Sequence, residues 1–81
     1  MENVLITKIL EMIKNQIGLH LDLCDYFTGI NNFNGKKYFN VLLKERTSES
    51  NDYNKLLRFS KVYKTIDIEP NGVNRVAIII N

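Results

Sequence analysis

The sequence is poor in cysteine, proline and tryptophan, with one, one and none among its 81 residues. Because Cys24 is the only thiol, no disulfide can form within the chain, which is typical of proteins in a reducing compartment. The longest apolar run, residues 76–80, is much shorter than the roughly 20 residues that a membrane helix needs. Lys8, Glu11 and Lys14 interrupt the N-terminal segment, unlike a secretory signal. We therefore expect a cytoplasmic protein that does not associate with membranes.

An excess of charge of one sign is also lacking, since 11 Lys and Arg residues are balanced by 9 Asp and Glu residues, for a net charge of +2. A charge this small does not by itself identify a nucleic-acid partner. The length and the hydrophobic fraction of 44% are typical of a single small domain spanning residues 1–81. A chain of this length buries only about 60% of its unfolded surface, so dimerisation would add stability.

Residues 4–17 have the apolar periodicity of an amphipathic helix. The side chains on the apolar face are Ile6, Ile9, Leu10, Ile13 and Ile17. Asn3 is a candidate N-cap, and Gly18 lies where a helix can end through a left-handed residue. We therefore predict a helix between these two residues.

From residue 19 the apolar residues alternate with polar ones, which predicts a strand over residues 19–27. A short helix beginning near Asp22, with Leu23, Phe27 and Ile30 in register, is the alternative. Residues 28–37 are rich in Gly and Asn and predict a loop. A second alternating segment, residues 38–45, predicts a strand that pairs with the first.

The second half of the chain repeats this change from helical to alternating periodicity. A helix is predicted from Asp52 to Tyr63, capped by one of the polar residues at 47–52. Strands are predicted at residues 65–69 and 75–80, with Pro70 and Asn71 at the centre of the turn and Gly72 at its end. Residues 76–80 are apolar on both faces, so this strand is expected to be covered on both sides or to face a partner.

These elements predict an α+β domain in the order α-β-β-α-β-β, with an antiparallel sheet and both helices on one face. The alternative is a winged helix. In that fold residues 19–27 and 38–45 would be short helices, residues 52–63 the recognition helix and residues 66–80 the wing.

The charge map is uneven, because eight of the 11 basic residues lie between residues 36 and 64. Lys55, Arg58 and Lys61 recur at i, i+3 and i+6 of the predicted second helix, so they could contact successive phosphates. The ordinary explanation is the solvated face of an amphipathic helix. The candidate nucleic-acid-binding residues are Lys36, Lys37, Lys55, Arg58, Lys61 and Lys64.

Apolar and aromatic residues predict a second kind of surface. Phe33 lies in the Asn-rich loop, and Ala77 and Ile79 lie on the two-sided apolar strand. We expect these residues to contact another chain, either a different protein or a second copy in a homodimer. The sequence thus predicts a protein-interaction or homo-oligomeric accessory module, with a small nucleic-acid-binding regulatory domain as the alternative.

The residue types of an active site do not come together in the sequence. His20, Asp22 and Cys24 alternate along the predicted strand, where residues two apart are separated by about 6.6 to 7 Å, too far for the hydrogen bond that activates a thiol. A closed zinc site needs four ligands, and the chain has no second Cys or His. We therefore expect no enzymatic activity, metal, cofactor or small-molecule substrate, and a buried, apolar role for Cys24.

Overall fold

The computed structural model describes residues 2–26 and 35–81, and it confirms the predicted α+β fold. Within these residues, two helices and four strands follow one another in the order α-β-β-α-β-β. Their bounds are α1 Glu2–Ile17, β1 Asp22–Tyr26, β2 Tyr38–Leu42, α2 Asn51–Val62, β3 Ile66–Pro70 and β4 Arg75–Ile80. Both middle segments are strands, so the short helix near Asp22 and the winged helix do not describe this chain.

The four strands form one antiparallel sheet in the order β1-β2-β4-β3. Each half of the chain is therefore an α-β-β unit, and the two units join where β2 pairs with β4. Tyr38 is opposite Ile79 and Leu42 is opposite Arg75 in this central pair. The position of β4 between two neighbours suits its apolar sequence, because an interior strand has no exposed backbone edge.

Both helices pack on the same face of the sheet, as predicted. Alternate residues of β2, β4 and β3 point toward the helices and are buried with residues from both of them. The core residues are Ile6, Ile9, Ile13, Leu19, Leu21, Phe39, Val41, Leu43, Leu56, Phe59, Ile66, Ile68, Val76 and Ile78. None of the helices in the described residues has the length and apolar character needed to cross a bilayer.

The helix ends agree with the sequence in part. α1 begins at Glu2, so Asn3 lies inside the helix and its predicted role as N-cap is wrong. Gly18 ends α1 as predicted: its φ of 70° is left-handed, and its N–H donates to Lys14 O at 2.9 Å. α2 follows a short 3₁₀ turn, Thr47–Glu49, and its N-cap is Ser50, whose Oγ accepts from the Tyr53 N–H at 3.1 Å.

The β3–β4 hairpin is confirmed, but its turn lies later in the chain than predicted. Pro70 is the last residue of β3 and pairs with Val76, so residues 71–74 form the connection. A proline is tolerated here because β3 is an edge strand and one side of it needs no N–H donor. Arg75 closes the connection, since its Nε donates to Asn71 O at 2.9 Å.

A register shift between Leu23 and Asp25 interrupts the alternation of β1. Cys24 lies at this irregularity and is exposed, so the predicted burial of Cys24 is wrong. The cause is that a bulge leaves its extra residue outside the regular pairing, here on an edge strand. His20 and Asp22 are exposed as well.

Candidate nucleic-acid interface

The basic residues of α2 are held outward by the buried side of the same helix. Leu56 and Phe59 are buried and fix the orientation of α2 against the core. Lys55, Arg58 and Lys61 are exposed, as the helical spacing predicts. Their positions therefore follow from the packing of α2.

A groove of about 430 Å³ lies between the C-terminal end of α1 and α2. α1 contributes Gln16 and Ile17, and α2 contributes Lys55, Arg58 and Val62. Phe59 and Tyr63 also line the groove, and the lining residues in the described part of the chain are all non-acidic. Lys61 is outside this lining, so the three cations of α2 divide into two that border the groove and one beyond it.

Two aromatic rings stack within the groove wall. The ring centroids of Phe59 and Tyr63 are 4.6 Å apart and their planes are inclined by 26°. Phe59 is buried in the core, whereas Tyr63 is half-buried. The Tyr63 N–H also donates to Phe59 O at 2.9 Å at the end of α2. The Tyr63 ring is therefore supported on one face by the core and is partly open to solvent.

Asn81 joins two of the predicted basic residues that are far apart in the sequence. Lys36 Nζ donates to Asn81 Oδ1 at 2.7 Å, and Asn81 Nδ2 donates to Lys64 O at 3.0 Å. The backbone of Lys37 is attached to the same end of β4, because its carbonyl accepts from the Ile80 N–H at 2.8 Å. Lys36, Lys37 and Lys64 are all exposed. Lys64 directly follows Tyr63 in the chain, so its backbone lies next to the residue that ends the groove lining.

The three predicted interface residues have a different environment. Ala77 and Ile79 are 0% and 5% exposed and form a small buried cluster with Tyr38 on the sheet face opposite the helices. They are thus covered within a single chain. Phe33 lies outside the described residues. On the same sheet face Asn40 is buried, and its Oδ1 accepts from Asn71 Nδ2 at 2.9 Å.

Tyr53, near the start of α2, has a pKa that is shifted from its ordinary value. Burial raises the pKa of the Tyr53 phenol above its ordinary value of 10.0, and the negative charge of Glu69 raises it further. Tyr53 is therefore neutral at physiological pH. The residues described here also include no group of three His, Cys, Asp or Glu side chains placed to hold a metal ion.

Sequence reasoning identified the cations but missed the residues that give the site its shape. Gln16 and Ile17 belong to α1, and they meet α2 only through tertiary packing. The Asn81 side chain is uncharged and belongs to no motif that would mark it in the sequence. The stacking of Phe59 on Tyr63 does have a local signal, because residues four apart share a helix face.

The sequence matches no family model, and no curated protein or solved structure is significantly similar to it.

Proposed function

We propose that this protein is a small nucleic-acid-binding module that contacts phosphates with the basic residues of α2 and the segment that follows it. The observation that supports this most strongly is the lining of the groove. Lys55 and Arg58 border the same groove as the partly exposed ring of Tyr63, and none of the described residues that line it is acidic. Cations beside an aromatic ring are typical of proteins that bind nucleic-acid strands.

The second group of cations extends this basic surface. Lys64 directly follows Tyr63, and Asn81 links it to Lys36. Lysine and arginine side chains supply most of the affinity for a phosphate backbone, and their effect adds along the strand. We assign direct phosphate contacts to Lys55, Arg58, Lys61 and Lys64, whereas Lys36 and Lys37 add positive charge to the nucleic-acid-binding surface.

A charge reversal tests the proposal. Lys55→Glu combined with Arg58→Glu is expected to weaken binding to a labelled, mixed-sequence DNA strand by at least about tenfold, because two phosphate contacts become repulsive. Both side chains are exposed, so the fold should be retained. Fluorescence anisotropy measures the affinity, and circular dichroism checks the fold.

The matched control changes the same amount of charge elsewhere. Lys8 and Lys44 are exposed residues outside the basic surface, and the combination Lys8→Glu with Lys44→Glu should lower affinity much less. Equal losses in the two double variants would contradict a local site. Full affinity in the Lys55 and Arg58 variant would contradict the proposal altogether.

A second candidate function is a homo-oligomeric or protein-interaction module, and the edge strand β1 favours it. Leu23 on β1 is 42% exposed, although it follows the apolar alternation of the strand. An exposed aliphatic residue on a sheet edge can be covered by a second copy or by a different protein.

Mass measurement tests self-association through this edge. We expect a dimer that persists at high salt, and we expect Leu23→Lys to shift it to a monomer in light scattering on a size-exclusion column. Val73→Lys is the control, because Val73 is also an exposed aliphatic residue but lies in the connection between β3 and β4. A wild-type protein that is monomeric at all salt concentrations would exclude self-association as its function.

A further inference from the structure

We propose that the groove between α1 and α2 receives an unpaired base of the bound strand, so that the protein prefers single-stranded to double-stranded nucleic acid. This inference rests on the proposed function and specifies the form of its ligand. The observations that carry it are the volume of the groove, the chemistry of its lining and the support of the Tyr63 ring.

The volume and lining of the groove fit one nucleotide. Clefts that hold small ligands have volumes of about 300 to 1,000 Å³, and this groove has about 430 Å³. Ile17, Val62 and Tyr63 supply apolar surface, and Lys55 and Arg58 supply positive charge at the same place. A nucleotide combines a flat ring with an adjacent phosphate, so its two parts match these two kinds of surface.

Tyr63 provides a rigid surface for stacking. Its ring stacks on Phe59 at a centroid distance of 4.6 Å, and its backbone N–H donates a hydrogen bond to the Phe59 carbonyl in α2. A ring that is already fixed loses little conformational freedom when a base stacks on it. Gln16, at the opposite wall, has an amide that can both donate to and accept from the edge of a base.

The charge of the groove argues against other occupants. A second copy bound symmetrically at this groove would bring Lys55 and Arg58 of both chains together, and like charges at an interface oppose association. A purely apolar helix would leave both cations unpaired. A base within a duplex cannot enter without being unstacked and unpaired, which is unfavourable. A single strand presents its bases freely.

Three probes of equal length test the inference with the wild-type protein. They are a labelled DNA strand of about 15 nucleotides, its duplex, and a strand of the same length made of abasic deoxyribose phosphates. The abasic strand keeps the backbone charge and flexibility but has no base to insert. We expect the normal strand to bind about tenfold more tightly than either of the other two at the same salt concentration.

Variants of Tyr63 connect this preference to the groove. Tyr63→Leu keeps apolar volume but removes the aromatic face, so it should reduce the tenfold preference to nearly none while affinity for the abasic strand is unchanged. Tyr63→Phe retains the ring and should retain the preference. A melting temperature measured for each variant separates loss of stacking from loss of fold, and the abasic comparison needs no variant at all.

The outcomes separate this inference from the proposed function. Equal affinity for all three probes, lost on charge reversal at Lys55 and Arg58, would overturn base insertion and leave phosphate binding intact. Tighter binding to the duplex would also overturn it. If none of the probes binds, the proposed function fails and this inference fails with it.

Discussion

Replacing Leu56 by alanine is expected to lower the free energy of unfolding by about 2 to 5 kcal/mol. Leu56 is fully buried where α2 meets the core, so truncation removes apolar contacts and leaves a cavity. A domain of this length has a total stability of only about 4 to 12 kcal/mol. The variant should therefore lose a large part of its stability, which urea unfolding followed by circular dichroism measures.

The chemically matched control is Leu42→Ala. Leu42 is 41% exposed on β2 and points to the sheet face opposite the helices. The same truncation there should cost roughly half as much or less, because a large part of Leu42 is already exposed to solvent. Similar losses at Leu56 and Leu42 would contradict the packing of α2 described above.

Raising the salt concentration from 50 to 200 mM is expected to weaken binding to a single strand by about fifty-fold. The estimate assumes that Lys55, Arg58, Lys61 and Lys64 each neutralise one phosphate and release condensed counterions, which gives a slope of about −2.8 for log affinity against log salt. The affinity should be measured at four or more salt concentrations so that the slope is determined directly.

The charge-reversed variant tests whether the salt dependence arises from Lys55 and Arg58. Loss of the two contacts at Lys55 and Arg58 should make the slope shallower by about 1.4. The variant with Lys8 and Lys44 reversed should keep the wild-type slope. A slope near zero in the wild type would show that phosphates do not contribute, and binding through the basic surface would be refuted.

Local periodicity was sufficient to predict the elements of this fold. The face of α1 that carries Ile6, Ile9 and Ile13 is buried, and the two-sided apolar sequence of β4 corresponds to an interior strand. These signals depend on residues close together in the chain. The order of the strands in the sheet does not depend on neighbouring residues in this way, and no local sequence pattern predicts the pairing of β2 with β4.

The wrong predictions concern local features that depend on the tertiary structure. Cys24 is exposed because a register shift interrupts an edge strand, and a bulge of this kind is invisible in an alternating pattern. The usual preference of proline predicts a turn position for Pro70, but the edge position of β3 allows a proline inside this strand. Asn3 has the right residue type for a cap, yet α1 starts before it.

The candidate site was predictable only in its charges. The i, i+3 spacing of Lys55 and Arg58 placed them on one exposed face of α2. The groove itself requires Gln16 and Ile17 from another helix, and the link from Lys36 to Lys64 requires Asn81. Such contacts depend on how distant segments pack, and the spacing of residues along the chain does not predict this packing.

The junction of the two α-β-β units has a consequence for the kinetics of folding. Within each unit the two strands are neighbours in sequence and pair with each other, so each unit can begin to form from contacts of short range. The pairing of β2 with β4 instead closes a long loop that contains α2 and β3. The entropy cost of closing this loop must be met before the contacts between the two strands contribute favourable free energy. Docking of the two units along this seam is therefore the step expected to limit the folding rate.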